Sequence, residues 1–266
     1  MTAPVLSVRE LSVFVGNRGE PRAVVDAVSF DLKPGEILAL VGESGCGKTK
    51  TAEALLGLVP AATGQVSARS IELCGADLAA LPEAQIRRIR GRDLSMIFQE
   101  PLTALDPVFR TGHQLATVFR RHRRMGRAEA RRASLEMLER VGFADAEHVL
   151  HSYPHQLSGG MRQRVVIAMA MACRPRVLVA DEPTTALDVT TQAQVLARLT
   201  ELAGEAGTAI LLITHDLGIV AHYCDRALIM RAGRIVEQAT VDRLFSQPQH
   251  PYTADLLAMS RGARGR

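Results

Sequence analysis

A chain of 266 residues with 47% hydrophobic and 23% charged residues has the balance of an ordinary globular protein, and can bury a core without disulfides or structural metal. Its longest uninterrupted apolar stretch, nine residues at 165–173, is too short to cross a bilayer, and residues 1–10 hold no basic segment leading into an apolar run, which predicts an unsecreted chain. Net charge is +4, only three of the 32 basic residues are Lys, and this composition excludes disorder, collagen, coiled coil and membrane spanning.

In chain order, residues 5–13 alternate apolar and polar and predict a strand, joined through the turn-rich stretch 16–22 to a second strand at 24–32. Residues 37–41 form a short apolar run after Pro34-Gly35, as expected of a buried central strand, and lead through 42–49 into a helical pattern stopped by Pro60. Further apolar runs at 94–98, 177–180 and 209–213 predict buried strands, separated by helical patterns at 161–172 and 190–203. Residues 111–151 break this rhythm with Arg-rich helices, expected at 120–132 and 134–141. The tail predicts two short strands around Ala232-Gly233 within 226–238, then closing helices at 240–247 and 252–259. Alternating strands and helices imply an α/β fold with a mainly parallel sheet.

Gly42-Glu43-Ser44-Gly45-Cys46-Gly47-Lys48-Thr49 fits GxxxxGK[ST], between a predicted strand and a predicted helix, the context that makes the motif specific. Glycines let the backbone curl so that successive N–H groups face phosphate oxygens, and the following helix presents its positive end to the same anion. Lys48 can reach the β- and γ-phosphates of a nucleoside triphosphate, and the Thr49 hydroxyl can coordinate Mg²⁺. Lys50 stands where a second hydroxyl often follows, and Thr51 is a candidate for the α-phosphate. Cys46 is either a thiol lowered in pKa by the local positive field or a bystander. At 176–182 an apolar strand delivers Asp181 and Glu182 at its carboxyl end, where α/β sheets bind ligands. Asp181 suits magnesium, and Glu182 suits orienting and deprotonating an attacking water. The dispersed Cys46, Cys74, Cys173 and Cys224 form no CxxC pair, so no zinc or iron–sulfur framework is expected.

Leu157-Ser158-Gly159-Gly160-Met161-Arg162-Gln163 precedes a helical run, with Ser158 a good N-cap and two glycines exposing N–H groups at a helix N-terminus, a second anion site in one chain. Here the sequence resembles the ATP-binding cassette (ABC) family, whose signature is LSGGQ, with Met161 in place of Gln. Further matches follow the family's order: Gln99 resembles the Q-loop glutamine that contacts magnesium and water, Ala186-Leu187-Asp188 the D-loop, and His215 the switch histidine that contacts the γ-phosphate. Residues 98–107 (Phe98 to Pro107), Tyr153-Pro154-His155-Gln156 and His250-Pro251-Tyr252-Thr253 resemble the dipeptide, oligopeptide and nickel importer subfamily, a likeness covering nearly the whole chain. Longer peptide-importer relatives continue into a cysteine-containing extension, so peptide, nickel or another chelate stays open at this point. For adenine stacking Phe14 is the candidate, an ordinary core Phe being the alternative.

The resemblance implies a P-loop NTPase core at 1–98 and 156–240, a helical subdomain inserted at 99–155 and a short helical tail at 241–266. It implies ATP and Mg²⁺ as cofactors, a second, identical or homologous ABC ATPase subunit, two integral-membrane permease subunits and an external solute-binding protein, with the chain peripheral on the cytoplasmic face of the cell membrane. Each ATP would lie between one subunit's 42–49 loop and the other's signature. The Arg-rich stretch 120–132 could suggest nucleic acid, but it lacks interleaved aromatics beyond Phe119 and reads as a solvated helix face, so no nucleic-acid partner is expected.

Overall fold

In the computed structural model, residues 3–16, 21–99, 104–185 and 187–263 are described. The chain forms two compact units, Met1–Pro82 with Ala209–Arg266, and Glu83–Thr208.

In the first unit, β1 (Leu6–Val15), β2 (Arg22–Leu32), β4 (Gly64–Ser67), β5 (Ser70–Leu73) and β6 (Ala76–Asp77) make an antiparallel sheet. Strand β1 lies between β2 and β5, with β4 also pairing to it. Leu6 and Val8 are buried before an irregularity in the pairing, where Glu10 takes φ 52°, and Leu11 and Val13 after it, so the extra residue resets the alternation. The short strands β4 to β6 were not expected: Gly64-Gln65-Val66-Ser67 has too little apolar character to stand out, and it is held by pairing with β1.

The same unit holds β3 (Ile37–Val41), β9 (Ala209–Thr214), β10 (Arg226–Arg231) and β11 (Arg234–Thr240). Strand β3 pairs in parallel with β9 and β10, and β11 returns antiparallel to β10. The expected turn at Ala232-Gly233 has both residues at positive φ, 47° and 83°, as a tight two-residue hairpin requires. Helix α1 (Lys48–Leu55) packs against β1 and β2, and α8 (Leu217–Tyr223), α9 (Val241–Ser246) and α10 (Pro251–Ala263), numbered after the described helices of the second unit, pack on this sheet. One core cluster joins Ala39, Val41, Leu217, Val220, Ile229, Leu244, Tyr252 and Leu257.

The second unit pairs β7 (Leu94–Ile97) and β8 (Val177–Asp181) in parallel, with α2 (Glu83–Ile89), α3 (Thr111–Arg123), α4 (Arg127–Arg140), α5 (Ala146–His151), α6 (Gly159–Met171) and α7 (Val189–Ala206). Helix α6 carries the longest apolar stretch and buries Val165, Val166, Ile167, Ala168, Ala170 and Met171 on nearly every side, as a helix apolar all round must. The helix expected across 120–132 is corrected. Arg124 takes a left-handed conformation at the end of α3, and Gly126 caps the start of α4. Helical spacing of arginines cannot reveal such a break, because both helices are solvated on that side.

Candidate active site

In the first unit, β3 runs into the 42–49 loop and α1. Three glycines shape the loop for different reasons. A Cβ at Gly42 would lie 2.2 Å from the carbonyl oxygen of Met230, and one at Gly47 2.4 Å from that of Val24. Gly45 has open space around it but sits at φ +79°, where side chains are strained. Lys48 is buried, and its Nζ donates to the carbonyls of Gly42 (2.8 Å) and Glu43 (2.9 Å). The ammonium is thus held over the loop it closes, with Ser44 and Thr49 exposed beside it. Thr51 is fully buried, and its hydroxyl donates to the Gly47 carbonyl at 3.0 Å, within its own helix. Lys50 pairs with Glu53 at 2.6 Å. The Cys46 thiol is pushed up in pKa by burial, which outweighs the lowering influence of Lys48 and runs against the lowered-thiol alternative.

Strand β9 lies beside β3 with Val41 opposite Thr214, so the phosphate loop and His215 leave the sheet at the same edge. Behind His215, Asp216 caps α8 by accepting from the Gly218 amide at 2.7 Å, while its own amide donates to Thr214 Oγ1 at 3.0 Å. His215 is exposed at this capped turn. On β1, Phe14 is half-buried and lines, with Val15, Ala61 and Gln65, a cavity of about 400 Å³.

In the second unit, Ile97 lies opposite Ala180, so Gln99 and the acid pair leave the carboxyl ends of neighbouring strands. Asp181 is 1% exposed at the end of β8. Glu182 is half-buried and takes φ +44°, an uncommon conformation for a non-glycine residue and one concentrated at functional sites. Its Oε2 accepts from Thr185 Oγ1 at 2.7 Å and from Gln99 Nε2 at 3.4 Å. Thr185 was not singled out by the sequence. The signal that could have found it is its spacing three residues beyond Glu182 in a tight turn, where Thr185 Oγ1 also donates to the Glu182 carbonyl at 3.2 Å.

Ser158 caps α6 by accepting from the Met161 amide at 3.3 Å, and Ser158 and Gly159 are exposed at that helix end. The helix therefore begins at Gly159, two residues before the expected 161. At Gly160 a Cβ would lie 2.6 Å from the Thr191 side chain on α7, which would have to shift to admit it. Leu157 is buried beneath the turn and Met161 half-buried. Asp188 caps α7 by accepting from the Thr191 amide at 3.0 Å, and this bond holds its carboxyl below the usual range. Leu187 donates its amide to the Thr184 carbonyl at 3.1 Å. Ala186 of the D-loop and 100–103 of the Q-loop region lie outside the described residues.

The family described as "ABC transporter" matches residues 25–185. The chain is 49% identical over 253 residues to the oligopeptide transport ATP-binding protein AppD of Bacillus subtilis (strain 168), covering 95% of this chain and 77% of that protein. Against the dipeptide transport ATP-binding protein DppD of the same organism it is also 49% identical, covering 95% and 76%. To the peptidoglycan transport ATP-binding protein YejF of Agrobacterium fabrum (strain C58 / ATCC 33970) it is 51% identical over 97% of this chain but only 47% of that protein, so it spans about half that relative's length. Among solved structures, the dimeric structure of MJ0796, a bacterial ABC transporter cassette, is similar with a TM-score of 0.77 and 25% identity, covering 89% of this chain and 98% of that one. With half of its sequence shared along nearly its full length, and the same fold, this chain belongs to the ABC transporter family as one of its ATP-binding cassettes.

Proposed function

We propose that this chain is the ATP-hydrolysing subunit of a peptide importer, peripheral on the cytoplasmic face of a membrane, and that two integral permease subunits and an external solute-binding protein complete the assembly. The observation that carries this reading is the β3–β9 register, which sends a closed, lysine-locked phosphate loop and a histidine out of one sheet edge. The peptide class rests on relatives whose names assign them oligopeptide and dipeptide transport.

In the proposed mechanism, the amides of residues 42–49 hold the phosphates of ATP, and Lys48 transfers its donors from the Gly42 and Glu43 carbonyls to the β- and γ-phosphate oxygens. Glu182 is the base: Thr185 and Gln99 hold its Oε2, and the carboxylate takes a proton from the water that attacks the γ-phosphorus as its bond to the bridging oxygen breaks and ADP leaves. His215 donates a hydrogen bond to the γ-phosphoryl group as charge develops on it. Thr49, Gln99 and Asp181 offer oxygen donors alone, a set whose chemistry fits Mg²⁺ rather than a softer metal. When bound, Mg²⁺ would supply positive charge against the phosphates. The exposed end of α6 at Ser158 and Gly159 meets the nucleotide of a second ATPase subunit, identical or homologous, with Leu187 and Asp188 crossing at the same joint. Phe14 is the proposed adenine-stacking group. The segment 99–155 is proposed as the subdomain that transmits closure to the permease, and the exposed apolar side chains of Val108 and Phe109 suit that contact.

The test is reconstitution with permease and binding protein in proteoliposomes. Peptide on the outside should stimulate ATP hydrolysis and be taken up, and Lys48→Ala should abolish both. ATPase activity indifferent to permease and peptide would overturn the transport reading.

A further inference from the structure

We propose that a pocket between the carboxyl ends of α2 and α3 binds a small, multiply charged phosphate group, carried by a soluble phosphate compound or a lipid headgroup. The cavity, about 280 Å³, is lined by Arg87, Arg88, Arg92, Arg121, His122 and Arg124. It lies at the amino end of β7, the opposite end of that strand from Gln99, so it is separate from the Gln99–Glu182 pair.

Basic residues at a helix carboxyl end are ordinarily explained by the helix dipole. That accounts for each helix alone, but not for gathering the arginines of two helices and of the β7 approach around one cavity. Some of this charge is answered: Arg87 pairs with Glu83 at 3.3 Å and Arg92 with Asp93 at 2.5 Å. Among the described residues, no carboxylate lies within ion-pair distance of Arg88, Arg121 or Arg124. His122 senses the surplus. Burial lowers its pKa first, and the cations of Arg121 and Arg92 lower it further.

The pocket is also built. Gly91 sits at φ +75°, and a Cβ there would come within 2.9 Å of His122 Nε2, so glycine lets the imidazole close down on the loop. Arg124 ends α3 in the left-handed conformation. Guanidinium groups bind phosphate through paired N–H donors, and several converging on one cavity suit an oxyanion with more than one charge. Carboxylates and single-charge anions would leave most of the donors unused.

Pyrophosphate is the first probe, titrated calorimetrically into full-length protein saturated with ADP so that the 42–49 loop is filled. One equivalent should bind, and Arg88→Gln/Arg121→Gln/Arg124→Gln should weaken it at least tenfold while keeping basal ATPase activity, which shows that the variant folds. A control, Arg127→Gln/Arg132→Gln, should bind as wild type does. The second probe is flotation with phosphatidylcholine vesicles with and without phosphatidic acid. Pocket-dependent pyrophosphate binding identifies a soluble ligand, whereas pocket-dependent binding to phosphatidic acid vesicles without it identifies a lipid headgroup. The proposal is overturned if wild type binds neither probe, if the triple variant binds as well as wild type, or if the control loses as much as the triple variant.

Discussion

At the scale of single residues, chemistry and backbone geometry meet at Glu182. Its carboxylate oxygen is held by Thr185 while its backbone occupies the left-handed region, so the side chain is aimed by a turn rather than by a helix or strand. Glu182→Gln keeps the size and the hydrogen bonds but removes the base. It should retain ATP binding and lower turnover by at least 10²-fold, the scale of a general-base contribution, with a closed ATP-bound dimer accumulating in size-exclusion chromatography. The glycines of the phosphate loop separate two physical demands. At Gly42 a methyl group would strike a backbone carbonyl of β10, whereas at Gly45 only the positive φ opposes it. Gly42→Ala should therefore cost about 3 kcal/mol or more in denaturant unfolding, and Gly45→Ala about 1 kcal/mol. Equal losses would show that the close approach to Met230 does not hold in solution.

At the scale of elements, the tail explains a motif whose purpose the sequence does not disclose. In His250-Pro251-Tyr252-Thr253, Tyr252 is buried in the first unit's core, its hydroxyl accepts from the Glu43 amide at 3.4 Å, and Arg231 stacks over its ring at 4.7 Å. The start of α10 is thereby tied to the phosphate loop. Glu237 on β11 secures the approach by accepting from the Gln249 (2.8 Å) and His250 (3.0 Å) amides. Burial alone would raise the Glu237 carboxyl, but the nearby Thr253 hydroxyl and these two amides together prevail and hold it below the usual range. A carboxyl depressed on folding stabilises the docked tail above its unfolded value, about 4.3, and that stability is lost as pH falls through the lower folded value. Hydrogen exchange of the α10 amides, corrected for intrinsic rates, should thus lose protection below about pH 4. Glu237→Gln should already lose about 1.5–3 kcal/mol of that protection at neutral pH and show little further change on acidification. Unchanged protection in the variant would remove Glu237 from this role.

At the scale of the whole molecule, the proposed reaction is shared between two chains, and this can be tested without a structure of the complex. Ser158→Arg should leave ATP affinity of the isolated chain unchanged but reduce hydrolysis by the assembled complex by orders of magnitude, since loss of a single preorganised donor costs about 2.7–4 kcal/mol. Lys48→Ala should instead weaken ATP binding to its own chain. Mixing the two variants restores one intact composite site if the chain pairs with itself, and stays inactive until a homologous partner is added if it does not. Full activity in a concentration-independent monomer would sink the shared reaction altogether.

By itself the sequence determined the α/β class, the strand and helix on either side of the phosphate loop, the acid pair at the end of β8 and the family, because each leaves a local mark. A buried parallel strand is a continuous apolar run, a phosphate cradle needs glycines at set intervals, and a helix start needs a capping side chain such as Ser158. Tertiary structure alone decided what depends on neighbours distant in the chain. Pairing with β1 makes strands of the weakly patterned β4 and β5, and burial raises the Cys46 thiol where the loop's positive field alone would lower it. The stop at Arg124 splits a solvated Arg-rich stretch into two helices, and the fold then gathers arginines from 87 to 124 around one cavity. The physical reason is the same in each case. Periodicity and capping are properties of a few consecutive residues, whereas close approach, desolvation and converging charge are set by which segments the fold packs together.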